Sequence, residues 1–148
     1  NPFQGMKMIE EIQVKGRSLD SLLENELSNI LGNYILVLDT QGSELECLNG
    51  ISERNFRKII ACVVETSKIP LYDNSALRNE VIRKLHQSNF KLAVSLSRPP
   101  TFHGDELFIR RDYLKSRKFD SMKLFLLRVI TKYSEIKFRL ITQLHRLF

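Results

Sequence analysis

The sequence predicts an α/β fold whose sheet is mostly parallel and closes on an antiparallel edge. Three observations carry that expectation. Two continuous apolar runs, 34–38 (YILVL) and 59–64 (IIACVV), have the composition of strands covered on both faces, and each ends on an acid. Stretches of helical periodicity alternate with these runs. Two further strand-like segments then follow one another with only a loop between them.

Taken in order, residues 9–15 (IEEIQVK) form a short strand candidate, with Ile12 and Val14 alternating with polar neighbours. Gly16 and Arg17 turn the chain, and Ser18 is placed to cap a helix running to about Leu31. Leu19, Leu22, Leu23, Leu27, Ile30 and Leu31 make its apolar stripe, and Gly32-Asn33 ends it. After the 34–38 strand, a helix begins near Ser43, carries Leu45, Leu48 and Ile51 inward and breaks at Asn49-Gly50. The 59–64 strand leads into the loop SKIPLYDN, and residues 75–88 form an amphipathic helix on Leu77, Val81, Ile82 and Leu85. Residues 90–96 alternate like a strand, SRPPTFHGD is a loop, and 106–111 (ELFIRR) is the partner strand. From 119 to 148 the pattern becomes one long amphipathic helix, with Met122, Leu126, Val129, Tyr133, Ile136 and Leu140 on its stripe and a basic far face. Two parts are therefore expected, residues 1–112 and a helical tail at 113–148.

Composition narrows the function. The apolar share of 43% and charged share of 27% belong to a globular protein, and 148 residues are enough for one core. No apolar run approaches the roughly 18 residues of a membrane span, and the N-terminus has no basic stretch leading into an apolar one. Cys47 and Cys62 sit among apolar residues without CxxC spacing, which suits buried thiols in a reducing, cytoplasmic compartment. His86, His103 and His145 are too scattered for a metal motif, so no metal site is expected. The net charge of +6 is unevenly placed. Residues 113–148 hold nine Lys/Arg against Asp120 and Glu135, giving +7, whereas residues 1–112 hold fourteen against fifteen, giving −1. A near-neutral body argues against general nucleic-acid binding, and none is expected. The tail stripe suits packing on its own sheet, self-association or peripheral contact with an acidic membrane surface.

The chemistry concentrates in LVLDTQGSELECLNG, residues 36–50. Ligands of such sheets bind outside the carboxyl ends of strands, where Asp39 and Glu65 both stand. Asp39 is either a site residue or a strand-end acid satisfied by local hydrogen bonds. Glu44, in the first turn of the next helix, has a structural explanation in the helix dipole. Gly42 allows a positive φ or a close approach of backbone to ligand. A metal-dependent nuclease core fits less well, because Glu65 is followed by Thr66 and Ser67 before Lys68 rather than by the acid-x-Lys step of such sites.

These residues resemble a known family. LDTQGSELECLNG (38–50) is similar to the signature of FkbM-family methyltransferases, a strand ending in Asp-x-Gln/Glu-Gly and continuing Ala/Ser-Glu-Leu-x-x-Leu-x-Gly. SLDSLL (18–23), VETSKIPLYDNSAL (64–77), HQSNFKL (86–92) and HGDELFIRR (103–111) resemble further segments of that family in order and spacing, with Asn89 where the family has Gly. The resemblance implies the C-terminal half of a class I, Rossmann-like methyltransferase sheet with an antiparallel last strand. It also implies methyl transfer from S-adenosylmethionine to a hydroxyl of a small-molecule, sugar or glycan acceptor. By the same resemblance Asp39, Glu44 and Glu65 are the catalytic candidates. Asp39, Gln41 and Gly42 are the cofactor-side candidates, and Tyr72 and His103 the substrate-side ones. The departure from the family lies in the glycines: those at 5, 16, 32, 42, 50 and 104 include no GxG pair to cradle a cofactor. The chain is therefore expected to be the C-terminal part of a longer enzyme, or a truncated domain acting as an interaction module through its tail.

Overall fold

The computed structural model describes residues 10–26, 33–72, 75–95 and 102–114. The chain divides into two compact units, Asn1–Arg111 and Asp112–Phe148, and the second is described only at 112–114. The long tail helix expected at 119–148, the end of the first helix at 27–31 and the close of the strand at Leu96 lie outside the described residues.

The first unit is a four-stranded mixed sheet with helices packed against it. Ser18 caps α1, Leu19–Asn25, by accepting the Ser21 N–H at 3.2 Å. β1, Tyr34–Leu38, leads through a turn into α2, Glu44–Asn49, which ends at Gly50 as its Asn-Gly pair suggests. A short helix, α3 (Glu53–Phe56), then precedes β2, Ile59–Ser67. α4, Arg78–Gln87, β3, Phe90–Ser95, β4, His103–Arg110, and the single turn α5, Arg111–Leu114, complete the order. Between α4 and β3 the chain reverses at Asn89, whose φ of 69° lies in the left-handed region that Asn tolerates better than most side chains.

The strands lie in the order β1-β2-β4-β3. β1 runs parallel to β2, while β4 is antiparallel to both β2 and β3. The expectation of a mostly parallel sheet is thus corrected. β4 inserts between β2 and β3 rather than pairing only at the edge, so one of the three pairings is parallel.

Three further expectations change. Residues 10–17 form no strand, and Ile12 and Val14 are exposed, because alternation without a partner strand buries nothing. β1 is not covered on both faces: it is an edge strand among the described residues, and Val37 is exposed. β2 is buried on both faces, but it continues past the apolar run through Glu65 to Ser67, since pairing with β4 satisfies the backbone there.

Leu48, Phe56, Ile59, Cys62, Val64, Val81, Leu85, Phe90 and Phe108 close the core between the sheet and α2 and α4. The Phe56 and Phe90 rings meet edge to face at 6.0 Å. Burial drives the Cys62 thiol far above its ordinary pKa, so it stays neutral. Asp20 fastens α1 to the α3 entrance by accepting from the Ser52 N–H at 2.8 Å and the Asn55 amide at 2.9 Å. The Asn55 bond, then the Ser52 bond, hold its carboxyl below the ordinary value.

Among the described residues one acidic side chain is fully buried. Glu106, on β4, meets Arg78 at the start of α4 at 2.5 Å, and the Ser95 hydroxyl donates to the same oxygen at 3.2 Å. Removing one partner of such a pair strands the other in low dielectric. Arg78→Ala is expected to destabilise the chain by about 3–5 kcal/mol in denaturant melts, while the double change Arg78→Met with Glu106→Leu stays near neutral.

Candidate functional site

The parallel register aligns Leu38 with Val64, so Asp39, just past β1, and Glu65, still within β2, stand side by side at the same end of the sheet. The turn after β1 completes the arrangement. Gln41 adopts φ 54° and Gly42 φ 110°, folding the chain back over the strand end. From there the Gln41 side-chain amide donates to Asp39 at 2.6 Å and to Glu65 at 3.1 Å. Its carbonyl oxygen accepts the Tyr72 hydroxyl. One neutral amide thus binds two carboxylates and a phenol, so Asp39, Gln41, Glu65 and Tyr72 form one polar unit.

Glu44 does something else. Its buried carboxylate turns back on the loop and accepts the Thr40 N–H at 2.8 Å, the Thr40 hydroxyl at 3.2 Å and the Gly42 N–H at 3.1 Å. Ser43 makes no side-chain cap, so the first carboxylate of α2 holds the turn instead. Gly42 is equally specific. A Cβ there would stand 2.9 Å from Tyr72 Cδ2 and 3.2 Å from Ser75 Cβ. The absence of a side chain lets Tyr72 lie over the backbone and reach Gln41.

A shallow cleft of about 290 Å³, counted out to open solvent, borders this unit and is lined by Gly42, Glu44, Glu65, Thr66, Ser67, Leu71, Tyr72, Ser75 and Ala76. Ser75 is not helical as the sequence suggested. Its hydroxyl accepts the Tyr72 N–H at 3.2 Å and donates to the Tyr72 carbonyl at 2.9 Å, fixing the rim. His103 is not on a loop either. It opens β4 opposite Ser67, exposed, at the same end of the sheet but outside the cleft lining. Sequence reasoning passed over Ser75, Thr66, Ser67 and Asp105, which pairs directly across from Glu65. The Asp105 signal was present in HGDELFIRR, whose alternation puts that acid at a strand start. Among the described residues no group of three or more His, Cys, Asp or Glu side chains is arranged to hold a metal.

Comparison with known families adds what geometry alone leaves open. The model of the Methyltransferase FkbM domain matches residues 3–92, more than half of the chain. The chain belongs to the FkbM methyltransferase family. No curated protein and no solved structure matches it. Membership suggests methyltransferase activity, and FkbM methyltransferases as a class imply S-adenosylmethionine as donor. The described residues do not fit that donor by themselves. They include neither a strand followed by a Gly-rich turn nor an acid after a second such strand, which together cradle it in this fold class. No described helix is long and apolar enough to cross a membrane.

Two substitutions test the architecture of the turn by denaturant melts. Gly42→Ala is expected to cost about 2–4 kcal/mol, combining the positive φ with overpacking against Tyr72. Glu44→Ala is expected to cost about 1–3 kcal/mol by leaving loop donors without an acceptor, and Glu44→Gln about half as much.

Proposed function

We propose that this chain forms the acceptor side of an FkbM O-methyltransferase site acting on a hydroxyl of a small-molecule or glycan acceptor. The observation that carries the reading is the Gln41 amide joining Asp39, just past β1, to Glu65 near the end of the parallel strand β2, beside a cleft rich in hydroxyls. The donor of such an enzyme supplies an electrophilic methyl on a sulfonium, and residues beyond those described must hold it. What these residues can do is orient an acceptor and receive its proton. A hydroxyl entering the cleft donates to the Asp39 or Glu65 carboxylate, which fixes the direction of its lone pair and takes the proton as the oxygen is alkylated. Gln41 keeps both carboxylates in place without adding a charge, and Tyr72 locks the Gln41 amide orientation. Glu44 is proposed as the residue that shapes the loop rather than one that touches the acceptor. Gly42 serves the same end by admitting Tyr72, and His103 is left as a rim residue. The free thiols Cys47 and Cys62 suit a reducing, cytoplasmic setting.

A second reading, a non-catalytic half-domain, is favoured by one observation, the lack of a donor cradle among the described residues. Both readings meet the same experiment. Labelled-methyl transfer is measured against a panel of sugars and natural-product alcohols, alongside amide shifts on titration with S-adenosylmethionine. The enzyme reading expects transfer that falls about 10²–10⁴-fold in Asp39→Asn and Glu65→Gln with folding intact. No transfer to any acceptor, together with no shift at residues 39–42 in millimolar donor, would overturn it in favour of the half-domain.

A further inference from the structure

The ion pair between Arg78 and Glu106 is only half made. Glu106 is fully buried, and its Oε1 alone is engaged, by Arg78 Nε and the Ser95 hydroxyl. Its Oε2 is equally shut from solvent and has no hydrogen-bond partner among the described residues. On the other side of the pair, Arg78 uses Nε, and neither terminal nitrogen of its guanidinium has a partner among the described residues. Arginine and carboxylate frequently meet as a fork with two parallel bonds, which would satisfy both oxygens. A buried oxygen left over carries a desolvation cost that a purely structural pair has no reason to keep. The place of Arg78 is also wrong for a purely structural cation. It is the first residue of α4, the end of a helix dipole that favours acids over bases.

The pair lies against the cleft. In the register of β2 and β4, Val64 stands opposite Glu106 and Thr66 opposite Gly104. Thr66 and Glu106 are therefore diagonal neighbours on one face of the sheet, about 7–8 Å apart. It is the face that α4 covers, since Val64 and Phe108 share it and belong to one core with Val81 and Leu85. Gly104, on the same face, puts no side chain beside either residue. Thr66 lines the cleft, as does Ala76, two residues before Arg78. Arg78 keeps 25% of its side-chain surface exposed, so it is the member of the pair that solvent reaches.

We propose that Arg78 and Glu106 form a second polar subsite of the cleft, which takes hydroxyls of a polyol or sugar acceptor. The chemistry of the open groups selects that class. The terminal nitrogens of Arg78 can only donate, and Oε2 of an ionised Glu106 can only accept. A phosphate or carboxylate would satisfy the donors but press a second negative charge against Oε2. An ammonium group would satisfy Oε2 but face the guanidinium. A hydroxyl does both, accepting from Arg78 while donating to Glu106, and two adjacent hydroxyls can divide the task. The pair is neutral overall and suits a neutral ligand. With one hydroxyl at Asp39 or Glu65 and others at Arg78 and Glu106, the acceptor is held at two points, which fixes the oxygen presented for methylation. The inference rests on the reading of the cleft as an acceptor site and adds the residues that choose among acceptors.

Binding is read on the full chain by amide shifts, with methyl α-glucopyranoside as the probe and no methyl donor present. Shifts are expected at residues 65–66, 76–78 and 104–106. The double variant Arg78→Met with Glu106→Leu is the one whose stability is expected to stay near neutral, so it separates binding from folding. Its affinity for the glucoside is expected to fall about 10–100-fold, through the loss of hydrogen bonds to charged groups. Cyclohexanol, with a single hydroxyl, is expected to distinguish the two chains far less. A folded double variant that binds the glucoside like the parent overturns the proposal. So do shifts confined to residues 39–42 and 65, which would leave the acceptor reading standing without this subsite. The absence of any shift overturns it as well, and the labelled-methyl assay then judges the acceptor reading separately. If the double variant fails to fold, the shift map of the unaltered chain decides.

Discussion

The site rests on the parallel register of β1 against β2. Parallel pairing with Leu38 opposite Val64 brings the two strand-end acids out on the same side at the same height. An antiparallel pairing would send one of them to the far pole, and a slip of one residue would turn every β1 side chain to the other face. Everything built on that end assumes this alignment: the bridging amide, the turn held by Glu44, and the tyrosine admitted by Gly42. Register in turn is fixed by burial, because Leu38 and Val64 belong to one core with Leu48 and Phe108. The hydrophobic core thereby sets the spacing of two carboxylates that lie outside it.

Much of this was legible in the sequence where chemistry and pattern agree. Ser18, the strand at YILVL, the Asn49-Gly50 stop and Asp39 just past that strand carry local causes, and each lies where those causes put it. The FkbM motif was legible for the same reason, since a turn that needs a glycine and an acid in fixed order leaves a dense signature. Elsewhere the causes are non-local. The 9–15 stretch alternates like a strand, yet its residues from 10 on pair with no strand among the described residues, and a pattern of polarity says nothing about whether a partner arrives. β2 runs three residues beyond its apolar stretch because β4 is there to pair with Glu65, Thr66 and Ser67. α3 escaped notice because four residues are too few to show a period.

Glu44 and Gln41 show why residue type alone misassigns roles in such a turn. Both are polar, three apart, beside the same strand end. The sequence gives the carboxylate the more chemical appearance. In the structure the carboxylate is buried and occupied by the backbone, while the amide at a left-handed position reaches out to join both acids. A carboxylate suits the inward position because it accepts several N–H groups at once. An amide suits the outward one because it can donate to two acids and still accept from a phenol.

Cys62 carries a consequence of a different kind. Its sulfur lies at the centre of the sheet, fully buried, with ionisation suppressed by its surroundings. A thiol in that state reacts only when the strands part, so alkylating reagents meet it at the frequency of opening rather than at a rate set by their own chemistry. Cys47, half-buried on the helix beneath the turn, answers to smaller excursions. The pair gives the fold two native clocks, one timing the breathing of the loop and the other the loss of the sheet.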